Sequence, residues 1–207
     1  LIASTFNFKN TIIAMLIVGV YLSLATACMI YMLWHIFKTD KEKELLMYRS
    51  HTDELTGCFN RHAYEEDIVQ LRMDEAFVYI SLDMNGLKTV NDSLGHAAGD
   101  ELIRGVASCM KQCFAEVGKV YRIGGDEFVI IVLDQIQNIE NIRETFDKTV
   151  RRWQGKMVKE MSVSCGYVSS DEKEWDTIYD IAKAADARMY ENKAAYYQKS
   201  GRDRRKR

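Results

Sequence analysis

From Thr11 to Trp34 the chain carries no charged residue, reading TIIAMLIVGVYLSLATACMIYMLW. As a helix this run is about 36 Å long, enough to cross a bilayer core of about 30 Å with some tilt. It shows none of the polar face expected of a helix in a soluble core. It is also long for the apolar part of a secretory leader. No small-residue cleavage site follows it, and a charged, helix-favouring segment comes next. The run predicts a transmembrane helix over 11–37, with Tyr31 and Trp34 towards one interface and Tyr21 near mid-span. Lys38, Lys41, Lys43 and Arg49 follow it, whereas Lys9 alone precedes it. That asymmetry places the C-terminal side in the cytoplasm, giving a single-pass protein of the inner (cytoplasmic) membrane. Residues 1–10 are an expected N-terminal stub. The chain opens on Leu rather than Met, which reads as a fragment whose upstream part is missing.

The 207 residues hold one ordinary domain plus extra elements, and a formal net charge of -2 gives no argument for nucleic-acid binding. The five cysteines form no CxxC pair and no disulfide framework. Cys109 and Cys113 lie four apart on a predicted helix, but no His or second pair accompanies them. They are expected to be core thiols of a reducing cytosol. Residues 38–52 continue the helix as a short stalk, which suits a two-helix coiled coil but is too short to prove one from heptads. A domain over 53–200 follows, and 201–207 is a basic, solubilising tail.

Within that domain Asn60 is placed to cap a helix from Arg61 to about Met73. Phe77–Asp83 reads as a strand, and after a loop Asp100–Phe114 reads as a helix. Lys119–Ile123 and Phe128–Leu133 are two hairpin strands. Ile139–Trp153 is amphipathic, Met161–Ser169 alternates as a strand does, and Trp175–Gln198 is a final helix. The order β-α-β-β-α-β-α predicts an α+β, ferredoxin-like split βαβ sheet with its helices on one face.

Between the hairpin strands lies Arg122-Ile123-Gly124-Gly125-Asp126-Glu127-Phe128. Two glycines between strands suggest a primed turn with positive φ. Such a turn holds Asp126 and Glu127 at its tip, where adjacent carboxylates suit a hard cation such as Mg²⁺. Asp83 ends the first strand, which neighbours the hairpin in this topology. Three carboxylates from two elements make a site for one or two Mg²⁺ ions that also engage substrate phosphates. Met84-Asn85-Gly86-Leu87-Lys88 follows, a Gly-containing loop with a Lys that suits phosphates. Asn91 and Asp100 offer an amide and a carboxylate to one pocket, a pair that suits guanine. Asp100 as a helix N-cap is an equal alternative on spacing. His96 reads as a loop-organising residue rather than a base.

Four segments together resemble the GGDEF domain, the diguanylate cyclase family. They are Asp53-Glu54-Leu55-Thr56-Gly57-Cys58-Phe59-Asn60-Arg61, Asp83 through Asp100, Arg122 through Phe128, and Ala185-Asp186 with Met189-Tyr190 and Lys193. The resemblance runs from about residue 50 to the end. It implies a diguanylate cyclase that joins two GTP into cyclic di-GMP and releases two pyrophosphates, as a homodimer with one GTP per subunit. It implies that Asp83, the Met84 carbonyl and Asp126 bind Mg²⁺ or Mn²⁺, with Glu127 assisting. Asp126 is the implied base for the attacking 3′-hydroxyl, and Lys88 steadies phosphate charge. Lys193 holds the terminal phosphates, and Asn91 and Asp100 read guanine. The competing expectation is a catalytically silent GGDEF-like module that binds GTP or a protein.

Three positions depart from the family pattern. Asn85 stands where a second Asp is frequent, and little loss is expected because an amide keeps the loop's hydrogen bonds. Ala115 and Gly118 occupy the places of an Arg-x-x-Asp product-inhibition site, so that site is expected to be absent. Tyr197 stands where an Arg commonly follows the late Lys. Arg202 comes later, and this phosphate contact has no assigned residue.

Overall fold

The computed structural model describes residues 2–199, so the expected basic tail and Arg202 lie outside the described residues. The chain divides into two compact units after Tyr48. The first holds most of helix α1, Ile2–His51, which runs unbroken from the apolar run into the charged segment. Thr11–Lys43 is long and apolar enough to cross a membrane. Ile17, Leu24, Trp34 and Phe37 are all exposed along it, as side chains that face lipid rather than a protein core would be. At its C-terminal end the Lys38 ammonium lies 5.4 Å from the Trp34 ring centroid, a cation over an aromatic face.

The second unit is a five-stranded sheet with strand order β1-β3-β4-β2-β5. The strands are β1 Phe59–Asn60, β2 Val78–Met84, β3 Gly118–Arg122, β4 Glu127–Val132 and β5 Val163–Ser169. β2 lies antiparallel between β4 and β5, and β3 pairs antiparallel with β4. This is the expected split βαβ core. The short β1 adds to its edge by parallel pairing with β3. Two residues are too few to show an alternation, and β1 was not expected from the sequence.

The helices of this unit are α2 Arg61–Ile68, α3 Leu87–Leu94, α4 His96–Phe114, α5 Ile139–Arg152 and α6 Ile178–Lys199. Asn60 caps α2 as expected, its Oδ1 accepting from the Ala63 N–H at 3.0 Å. The helix ends at Ile68 instead of reaching Met73. α3 occupies a segment expected to be loop, and α4 begins at His96, four residues before the expected start.

The expectation of helices on one face is corrected. Every residue of β2 is buried. Val78, Ile80, Leu82 and Met84 join Phe128, Ile130 and Val132 against Leu102, Val106 and Met110 of α4 and Phe146 and Val150 of α5. The alternate residues Tyr79, Val129 and Ile131 pack with Ala63 and Ile68 of α2 and Ile181 and Ala185 of α6. The cause lies in the strands themselves. β2 and β4 are apolar at nearly every position, so both faces must be covered. Cys109 is buried in the α4 core, where desolvation pushes its thiol up to about 11. It behaves as a core group.

Candidate active site

The β2–β4 ladder sets the site. Asp83 stands directly opposite Glu127 on β4 and opposite Ser164 on β5. Directly opposed residues share a face of the sheet, so all three lie on the side covered by α6. The Met84 N–H donates to the Asp126 carbonyl at 3.1 Å. That bond ties the hairpin tip to the end of β2, so Asp83, Met84, Asp126 and Glu127 come from adjoining backbone.

Asp83 is 4% exposed, and Asp126 and Glu127 are half-buried. Burying a carboxylate is costly unless a counter-charge or hydrogen bonds meet it. Lys193 of α6 supplies one, its Nζ lying 2.5 Å from Asp83 Oδ1. The strand-end acid and the late lysine, taken from distant parts of the sequence, therefore sit at one place.

The hairpin is not a primed turn. Among the described glycines, positive φ occurs at Gly57, Gly86 and Gly95, not at Gly124 or Gly125. The loop instead closes through two N–H donors, those of Ile123 and Gly124, on the single Glu127 carbonyl at 3.0 and 3.3 Å. A longer loop has no need of the left-handed conformation that a two-residue turn demands. At Gly124 an added Cβ would lie 2.8 Å from Glu127 Oε2, so the end of that flexible side chain would have to turn aside.

Arg122 braces this loop from below. Its Nη1 donates to both oxygens of Asp53 at 3.1 Å, and its Nη2 donates to the Gly125 carbonyl at 2.9 Å. Arg61, the first residue of α2, holds the Ile123 carbonyl from the other side at 2.8 Å. Neither brace was assigned from the sequence. The acidic start of the 53–61 segment and the Arg before the two glycines were visible there, but their pairing across the fold was not.

Asn85 is buried and uses its amide in both directions. Its Nδ2 donates to Ser162 Oγ, and its Oδ1 accepts from Ser164 Oγ, each at 3.0 Å. An ionised carboxylate cannot make the first of these bonds, so Asn at this position fastens the β2 end to β5. Gly86 follows with φ of 77° and starts α3. Lys88, in the first turn of α3, is exposed.

Asn91 and Asp100 fall on α3 and α4. The Asn91 amide lies flat against α4, where a Cβ at Gly99 would be 1.9 Å from Asn91 Oδ1. Asp100 is inside α4, whose N-cap is Gly95, which removes the N-cap alternative. Its carboxylate lies 3.9 Å from Arg104 one turn on. The structure thus brings Asn91 beside the residue preceding Asp100. It sets both on the helix pair that follows the β2 end.

The donors gathered at Asp83, Asp126 and Glu127 are all oxygens. Hard divalent ions such as Mg²⁺ are bound by carboxylates and carbonyls, so the donor set fits such an ion.

The family described as diguanylate cyclase, GGDEF domain, matches residues 50–199. The chain is 34% identical over 148 residues to the probable diguanylate cyclase DgcJ of Escherichia coli (strain K12), covering 69% of this chain and 29% of DgcJ. It is 27% identical over 194 residues to an uncharacterized membrane protein of Staphylococcus aureus (strain USA300), covering 84% of this chain and 54% of the relative. The chain thus spans about a third to a half of these relatives' own length. Among solved structures, the coiled coil and GGDEF domain of DgcB from Caulobacter crescentus, in complex with c-di-GMP, superposes with a TM-score of 0.67 at 23% identity. It covers 78% of this chain and 90% of that one.

Proposed function

The chain belongs to the diguanylate cyclase GGDEF-domain family, and on that premise we propose that it condenses two GTP into cyclic di-GMP with release of two pyrophosphates. The observation that carries this reading is buried Asp83 facing Glu127 across β2–β4, with Asp126 tied to Met84. Asp83, the Met84 carbonyl, Asp126 and Glu127 would hold Mg²⁺ or Mn²⁺. The ion supplies charge to phosphate oxygens and favours an activated hydroxyl.

The protein's own part is positioning and electrostatics. Asn91 and Asp100 hold the guanine edge, with the carboxylate accepting from its N–H donors. The N-terminal turn of α3 and Lys88 receive phosphate charge, as a helix start favours anions. Lys193 exchanges Asp83 for the terminal phosphates as GTP enters. Asp126 takes the proton of the 3′-hydroxyl. A new bond forms from that oxygen to the α-phosphorus of the GTP on the facing domain, and the bond from the α-phosphorus to the bridging oxygen breaks. Pyrophosphate leaves, and the same exchange with the roles reversed closes the ring. Each domain of a homodimer holds one GTP.

In the cell we place the domain at 53–200 in the cytoplasm, carried by a stalk at 38–52 and a single pass at 11–37 of the inner membrane. The lysines that follow the span support that orientation. The test uses the full chain in lipid nanodiscs with GTP and Mg²⁺. Cyclic di-GMP and pyrophosphate should appear in a ratio of one to two, and Asp126→Ala should abolish both. GTP binding without product, at chain densities that populate dimers, would establish a silent nucleotide-binding module instead. Turnover retained in the variant would remove Asp126 from the proposed role.

A further inference from the structure

We propose that His51, His62 and Glu66 form a second metal site, of the Zn²⁺ class, that fastens the last residue of α1 to helix α2. The three residues come from two elements that the sequence gives no reason to join. His62 and Glu66 are four apart on α2 and so share one face. His51 reaches that face because the chain turns there under a brace. Asn60 Nδ2 donates to the Ser50 carbonyl at 2.7 Å and to the Thr52 carbonyl at 3.4 Å.

The geometry is convergent. His51 Nε2 lies 2.8 Å from Glu66 Oε2, and His62 Nε2 lies 3.2 Å from Glu66 Oε1. The imidazole centroids are 5.1 Å apart. One ligand atom from each residue falls within 4.8 Å of the others. Tetrahedral Zn²⁺ with bonds of about 2.0–2.1 Å places its ligand atoms about 3.4 Å apart. Small side-chain rotations therefore suffice, and no backbone need move.

The chemistry separates this place from the Asp83 site. Two imidazoles and a carboxylate are the nitrogen and oxygen donors that Zn²⁺ prefers, whereas the Asp83 site offers oxygen alone. The His51 side chain is 19% exposed, His62 is 56% and Glu66 is 49%. One ligand is thus fixed by its surroundings, and two leave an entry path and a fourth position for water. α2 also carries Arg61, which holds the Ile123 carbonyl of the hairpin. A metal at Glu66 would brace the helix from which that bond is made.

The full chain in nanodiscs is titrated with Zn²⁺ against a chelating dye, with Co²⁺ as the spectroscopic probe. We expect one Zn²⁺ per chain and a four-coordinate Co²⁺ absorption. Each of His51→Ala, His62→Ala and Glu66→Gln should weaken binding by about tenfold or more. Glu66→Gln keeps the shape of the side chain while removing its charge and one acceptor oxygen, so it tests ligation even where a His variant folds poorly. The double variant Asp83→Asn, Asp126→Asn should keep the Zn²⁺, whether or not the chain proves to be a cyclase. The proposal fails if no stoichiometric Zn²⁺ binds at micromolar concentration, if Glu66→Gln binds as tightly as wild type, or if the double variant loses the metal.

Discussion

Arg122 joins two residues that lie on either side of it in sequence, Asp53 at the start of the domain and Gly125 in the loop. One guanidinium nitrogen meets the carboxylate and the other meets the loop carbonyl, and a Lys cannot reproduce two donors held in one rigid plane. Burial works against the charge of Asp53, and hydrogen bonds from Thr56 and Arg122 more than offset it, so its carboxyl lies below the ordinary value of 3.8. A carboxylate depressed on folding gives its full stabilisation above the unfolded value. It loses that contribution as pH falls through the folded one. Asp53→Asn should therefore be less stable than wild type at neutral pH, and the gap should close below about pH 4. Denaturant midpoints across that range check this, and a gap that does not change with pH would deny Asp53 the role. Asn85 teaches a related lesson. From the sequence it was a departure with little expected loss, yet its amide joins Ser164 of β5 and Ser162 just before that strand, which no spacing rule connects to it.

At the level of elements, α6 must lie almost on the backbone of β5. A Cβ at Gly166 would be 2.0 Å from the Ala185 carbonyl oxygen and 2.5 Å from the Met189 nitrogen. Gly166→Ala should force the helix outward at a cost of about 3 kcal/mol, lowering the melting temperature by about 10 °C. An unchanged melting temperature would show that α6 yields freely. The long elements were legible in the sequence because their periods are strong, as in α4, α5 and the β3–β4 hairpin. α3 was not, since its apolar face is only Leu87, Val90 and Leu94, within eight residues bracketed by Gly86 and Gly95. The second layer of helices was missed for a different reason. Continuous apolar strands show that both faces are buried, but not which segments bury them. The candidate site divides in the same way. Asp83, Asp126 and Glu127 could be grouped from strand ends, whereas the contact of Lys193 with Asp83 depends on how α6 crosses the sheet.

For the whole molecule, the proposed reaction needs two chains, since each supplies one GTP and half of the groups. The initial rate per chain in proteoliposomes should rise with surface density and then level off. A rate per chain that holds constant down to single occupancy of vesicles would contradict a shared site. Residues 2–51 form one continuous helix, so the route from the apolar run to the domain contains no break in backbone hydrogen bonding. The proposed metal site lies where that helix ends. The sheet carries a further consequence. β2 is covered on both faces and paired on both edges, and Asp83 sits at its end, while Asp126 lies in a loop with an exposed glycine before it. Amide protons of β2 should therefore exchange with solvent by global opening and those of the hairpin tip by local fluctuation, which hydrogen exchange checks. On the proposed reading, a bound nucleotide should protect the tip directly and should also slow β2, through the stability that it adds to the whole domain.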